Sequence, residues 1–117
     1  MNIYISKSDL PTASIAEDAR LYAGRGWLAL VQEAMPVICG AQIRAIREDA
    51  GLLRIELANA NAEMRALVKA IEAKSASMCE ICGEPGSLRW EGLKDGKPAG
   101  WHRVRCDLHV DTRTSSW

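Results

Sequence analysis

Two short ligand pairs near the C-terminal end restrict this chain more than any other feature: Cys79-Glu80-Ile81-Cys82-Gly83 and, after 23 intervening residues, Cys106-Asp107-Leu108-His109. Two residues between thiols let both sulfurs of one tight turn reach a single ion, and Gly83 can take the backbone angle that such a turn demands. The second pair repeats the spacing with an imidazole as its last member. Three thiolates and one imidazole make a closed tetrahedral set, and soft sulfur donors favour Zn²⁺ over Mg²⁺ or Ca²⁺. Cys79, Cys82, Cys106 and His109 are therefore the expected ligands of a structural zinc ion.

The residues between the pairs suffice for one β-hairpin, with short strands around 88–90 and 101–106. Knuckle, hairpin and a second ligand pair at the start of a short helix is the order of a treble-clef-like module. Two alternatives stand beside this reading. A redox dithiol would use the first pair alone, but that pair lacks the βαβ setting such sites have. His102 shares a strand face with Val104 and Cys106 and rivals His109 as the nitrogen ligand, although the C-x-x-H spacing favours His109.

The N-terminus has no basic segment followed by an apolar stretch, so the expected location is cytoplasmic, where thiols stay reduced. No apolar run approaches the roughly 20 residues of a membrane span. The 117 residues are one domain's worth, and 48% hydrophobic with 26% charged matches an ordinary globular protein. The fourth cysteine, Cys39, lies in an apolar segment and is expected to be a buried, inert thiol.

Ahead of the metal segment the patterning is mixed. Residues 2–6 suit a short strand or an extended arm. Ser14 and Glu17 have capping-box spacing, which predicts a first helix over 16–23 with Gly24 as its stop. Trp27, Leu30, Val31, Met35 and Ile38 recur at helical spacing, and Pro36 kinks or ends that helix. Residues 42–48 and 52–58 alternate apolar and charged around Asp49-Ala50-Gly51, a β-hairpin pattern; a continuous helix over 41–58 is the competing reading. Asn59 to Asn61 supply cap-type residues for a helix carrying Met64, Leu67, Val68, Ile71 and Met78 on one stripe. The expected class is α+β: helices, a β-hairpin, and a treble-clef-like zinc module. Residues 1–78 form the first portion and 79–117 the module, the two packed as one compact unit.

Function is constrained mostly by exclusion. None of the phosphate-loop, dinucleotide, serine-hydrolase or zinc-protease spacings occurs, and four protein ligands leave no open metal position. Glu48 and Asp49 read as solvated turn charges. Arg103 and Arg105 share a strand face and, with Arg89, Trp90 and Trp101, are the candidate macromolecule contacts. Lysine plus arginine and aspartate plus glutamate nevertheless balance at nine of each in residues 1–78 and six of each in 79–117, so neither part is a phosphate footprint.

Gly26-Trp27-Leu28, Ile46-Arg47-Glu48, Gly51-Leu52-Leu53-Arg54-Ile55, Ala66-Leu67, Cys79-Glu80-Ile81-Cys82-Gly83-Glu84-Pro85-Gly86, Gly100-Trp101 and Cys106-Asp107-Leu108-His109 together resemble a group of small bacterial and phage proteins of unassigned function. The resemblance spans about residues 26–110, and the zinc motif is its most specific part. The chain departs from that group at the hairpin, where Asp49-Ala50-Gly51-Leu52-Leu53-Arg54-Ile55 stands in place of a Lys-Phe-Gly-Gly-Leu-Arg-Phe type run and lacks its aromatic pair. The resemblance implies the order helix, hairpin, helix, zinc module, and no activity. The expected function is a non-enzymatic, zinc-stabilised binding protein acting through protein–protein contact, in one concrete form a phage or mobile-element inhibitor of a host defence protein. The alternative is a small nucleic-acid-binding zinc protein.

Overall fold

The computed structural model describes residues 4–94 and 97–109, with side chains described outside 89–102. Strand β1 (Ile15–Tyr22) is followed by helix α1 (Leu28–Ala34), the hairpin β2 (Gln42–Asp49) and β3 (Leu52–Ala58), helix α2 (Ala62–Ala73), and a second hairpin, β4 (Ser87–Lys94) with β5 (Lys97–Arg105). Short 3-10 turns precede β1 and α1 and extend α2. Fold class is thus mixed helix and sheet, with a three-stranded sheet in the order β1-β2-β3 and a separate β4-β5 ribbon.

The first element corrects the sequence expectation. Residues 16–22 lie in a strand that pairs in parallel with β2, not in a helix. The Ser14 hydroxyl that a capping box needs donates instead to the Pro11 carbonyl, 2.7 Å away. Ile15 and Ala19 are buried against the sheet's neighbours, and this pairing outweighs a short local helix preference. A parallel pair requires a crossover, which α1 and its flanking turns provide. Residues 4–6 are an extended arm: Tyr4 bridges Gly24, and the Ile5 amide donates to the Ala23 carbonyl.

The two expectations in the middle of the chain hold. α1 ends two residues before Pro36, and β2 and β3 pair antiparallel around Ala50 and Gly51, whose φ angles of 53° and 87° are both left-handed. That is the geometry of a primed two-residue turn, whose twist matches the strands. The strict alternation assumed for β2 fails, because a bulge between Ile43 and Ala45 lets both Ile43 and Ile46 reach the core. α2 is capped by Asn61, whose Oδ1 accepts from the Met64 amide at 2.8 Å. It buries Val68 and Ile71 but leaves Leu67 exposed.

The core lies between the inner face of the sheet and the two helices, with Trp27, Val31, Ile43, Ile46 and Leu53 fully enclosed. β3 is an edge strand, and its outward amides are occupied: Leu53 donates to Ser75 Oγ (3.0 Å) and Ile55 to Glu72 Oε2 (2.6 Å). Cys39 differs from expectation. It follows buried Ile38 in the turns after α1 and is exposed.

Candidate metal centre

Residues 78–86 form a tight knuckle. Met78 bridges Pro85, the Gly83 amide donates to the Cys79 carbonyl at 2.8 Å, and the Cys79 amide donates to the Glu84 carbonyl at 2.8 Å. Gly83 has φ +80°, where a side chain would be strained. The knuckle is stitched to the second hairpin by the Glu80 amide, which donates to the Val104 carbonyl at 3.0 Å. Cys106 follows the last residue of β5, and a turn closed by the His109 amide on the Cys106 carbonyl carries the imidazole back toward the thiols.

This places the four expected ligands together: three Sγ atoms and one imidazole nitrogen lie within 4.8 Å of one another. Cys106 Sγ to His109 Nδ1 is 3.3 Å, Cys82 Sγ to Cys106 Sγ 3.6 Å, and Cys79 Sγ to His109 Nδ1 3.8 Å. A tetrahedron with Zn–S near 2.3 Å and Zn–N near 2.0 Å has S···S edges of about 3.8 Å and S···N edges of about 3.5 Å. The donor set therefore fits a tetrahedral ion in both size and chemistry. All four cysteines are free thiols.

The electrostatics point the same way. Burial pushes the Cys106 thiol up, but hydrogen bonds from the His109 ring, Cys82, the His109 amide and Cys79 outweigh it and bring Cys106 down to about 6. Burial pushes Cys82 up to about 11, only partly relieved by the Glu84 amide and reinforced by Cys106 and Cys79.

Around the ligands lies a buried ionic cluster that the sequence patterning does not reveal. Glu80, between the two knuckle cysteines, is fully buried, and its Oε1 accepts from Arg105 Nε at 2.9 Å and lies 3.6 Å from Arg103 Nε. Arg103 Nη1 reaches Glu48 Oε2 at 2.8 Å, and Arg105 Nη1 donates to the His109 carbonyl at 3.0 Å. Burial holds the Glu80 carboxyl above its ordinary range, while Arg105 and Arg103 pull it back down. Two carboxylates and two guanidiniums make the cluster formally neutral. Arg105 ties the residue between two ligands to the backbone of a third, which orients the set from outside.

Of the candidate macromolecule contacts, Arg103 and Arg105 are 8% and 1% exposed and point into the protein, and Arg103 is paired with Glu48, which is therefore not a free turn charge. The side chains of Arg89, Trp90, Trp101 and His102 lie outside the described residues. The short helix expected to begin at the second ligand pair is a turn over 107–109, and the residues that would continue it fall outside the described ones.

The knuckle is seated on the N-terminal half by two glycines. Gly26 N donates to the Glu80 carbonyl at 2.8 Å, and a Cβ on Gly24 or Gly26 would lie 2.2 Å from Glu80 O or 2.1 Å from Cys79 O. Trp27 Nε1 donates to the Met78 carbonyl at 2.8 Å. The boundary expected at 78/79 is crossed by the Gly24 and Gly26 contacts with Cys79 and Glu80. Gly24 serves close approach, not helix termination.

Compared with known proteins, the chain matches no family model, no curated protein and no solved structure. Among the described residues, no helix is long and apolar enough to cross a membrane.

Proposed function

We propose that the chain is a non-enzymatic binding protein whose second hairpin is fixed by a structural Zn²⁺ on Cys79, Cys82, Cys106 and His109, and that it acts by presenting a rigid surface to another protein. The observation that carries the reading is the convergence of four protein donors at tetrahedral separations. A zinc ion held by four side chains has no position left for water or substrate, so its contribution is to folding. The knuckle, hairpin and second ligand pair make the module treble-clef-like. Free cysteines suit a reducing, cytoplasmic setting.

Burial of Arg103 and Arg105 against Glu80 and Glu48 weighs against the nucleic-acid alternative, which needs those guanidiniums at the surface.

The test has two parts. Metal analysis of protein purified without added metal should find about one zinc per chain, and a content below about 0.2 overturns the metal assignment. Affinity purification from the source cell should recover a protein at comparable molar amount. Recovery of nucleic acid in its place, lost at high salt, overturns the protein-partner reading.

A further inference from the structure

A hollow of about 630 Å³ lies beside the three-stranded sheet, lined from all three strands and from α2. It arises where two strands lose register at the same level. β1 takes five residues from Ile15 to Arg20 while β2 takes two, from their partners Ile43 to Ala45. Against β3, the same step of β2 holds one residue too many, Arg44. The pairings put Arg20, Ala45 and Glu56 in one cross-strand row, and the small central alanine leaves the space open. Asp18 from the looped part of β1, Arg44, and Arg65 from α2 complete the rim.

The charges on this rim are unlike those on the rest of the protein. Eight arginines have described side chains, and five of them (25, 47, 54, 103 and 105) are ion-paired with carboxylates. The other three are Arg20, Arg44 and Arg65. They are exposed, and they make no ion pair or hydrogen bond among the described residues. Strand β1, strand β2 and helix α2 thus each deliver an uncompensated guanidinium to one hollow. Glu56 is already occupied by Arg47 at 3.0 Å, which leaves Asp18 as the single free carboxylate facing three cations. Convergent guanidiniums repel one another unless an oxyanion takes their forked donors, and a carboxylate does so bidentately. One row along, Tyr22 pairs with Arg47 and stands 59% exposed, so an aromatic lies beside the arginines. Tyrosine and arginine are the side chains most often found at the energetic centre of protein interfaces.

We propose that this hollow is the docking site for an acidic segment of a protein partner, with aspartate or glutamate carboxylates seated between Arg20, Arg44 and Arg65. The assignment rests on the protein-partner reading above and adds the partner's chemistry. Asp18 and Glu56 in the rim favour a protein segment over a polyphosphate chain, because a regular run of phosphates would meet both carboxylates. Zero net charge likewise provides no long-range attraction for nucleic acid.

The test is an NMR titration of the full, zinc-loaded chain with an acetylated octaglutamate peptide, and in parallel with an eight-nucleotide oligouridylate, following the arginine Nε–Hε signals. The peptide should move the signals of Arg20, Arg44 and Arg65 saturably, and R44E and R65E should each weaken it by about tenfold or more. Lys69→Glu, on α2 outside the hollow, makes the same charge change and should have little effect. Equal weakening by R44E and K69E overturns the proposal. If a partner protein, once purified, binds R44E and R65E as well as it binds the native chain, the hollow fails while the protein-partner reading stands. Tighter binding of the oligouridylate through the same arginines overturns both.

Discussion

Gly26 lies against Cys79 so closely that the space for a side chain is filled by backbone: a Cβ there would stand 2.1 Å from the Cys79 carbonyl oxygen and 2.5 Å from the Glu80 carbonyl carbon. The neighbouring groups are main chain on a knuckle fixed by its own hydrogen bonds and cannot yield cheaply. Gly26→Ala is therefore expected to destabilise the protein by about 3 kcal/mol or more and to weaken zinc binding in a chelator competition. Gly40, at φ +88° with nothing within 4 Å, is the comparison. Gly40→Ala meets only backbone strain and should cost about 1–2 kcal/mol with metal affinity unchanged.

Removing one member of the buried ionic cluster leaves its partner charged and enclosed. Arg105→Ala strips Glu80 of its 2.9 Å partner and should cost about 3–5 kcal/mol in urea denaturation. Arg47→Ala removes a half-exposed guanidinium from Glu56 and should cost less than about 1 kcal/mol. Equal effects of the two substitutions would contradict the interior placement of Arg105.

Chelation should act locally before it acts globally. The Glu80 and Gly83 amides, which donate to Val104 and Cys79, are expected to lose hydrogen-exchange protection when zinc is withdrawn, as is the β4-β5 ribbon. Amides of the β2-β3 ladder should keep more of theirs. Cys82→Ser and His109→Ala should each reproduce the chelated pattern in the presence of metal. Uniform loss along the chain would show that the ion holds the whole fold.

Asp9 provides an acid-sensitive contact remote from the metal. The Arg25 guanidinium and the Ser6 amide hold its carboxyl below the ordinary value of 3.8. The unfolded chain therefore takes up this proton first as pH falls. The contact contributes its full stabilisation above about 3.8 and loses it as pH drops through the lower folded value. Asp9→Asn should be less stable than the native chain at pH 7, and the gap should close below pH 3.8 in matched denaturation curves.

The Cys/His cluster was legible in the sequence because its signal is local: a C-x-x-C and a C-x-x-H each fix a turn, and only the meeting of the turns needed the fold. The β2-β3 hairpin was legible for the same reason, through Ala50-Gly51 and the flanking alternation. β1 was not. Its capping-box spacing is a local signal, whereas its strand state depends on β2, which lies some 25 residues further on. Arg103 and Arg105 misled in another way. Alternation placed them correctly on one strand face, but whether that face meets solvent depends on Glu80 and Glu48, distant in the chain and unremarkable by composition. Glu80 itself could have raised a question, as a carboxylate inside a knuckle where burial is expected.

Trp27 gives the seating of the knuckle a practical meaning. Its indole is enclosed in the N-terminal core, yet its N–H is committed to the carbonyl of Met78, the residue before the first metal ligand. Any loosening of the knuckle frees that proton donor and admits water to the ring, which shifts its emission to longer wavelength. On the proposed metal assignment, this indole is an intrinsic optical gauge of occupancy, readable without a label on the hairpin itself.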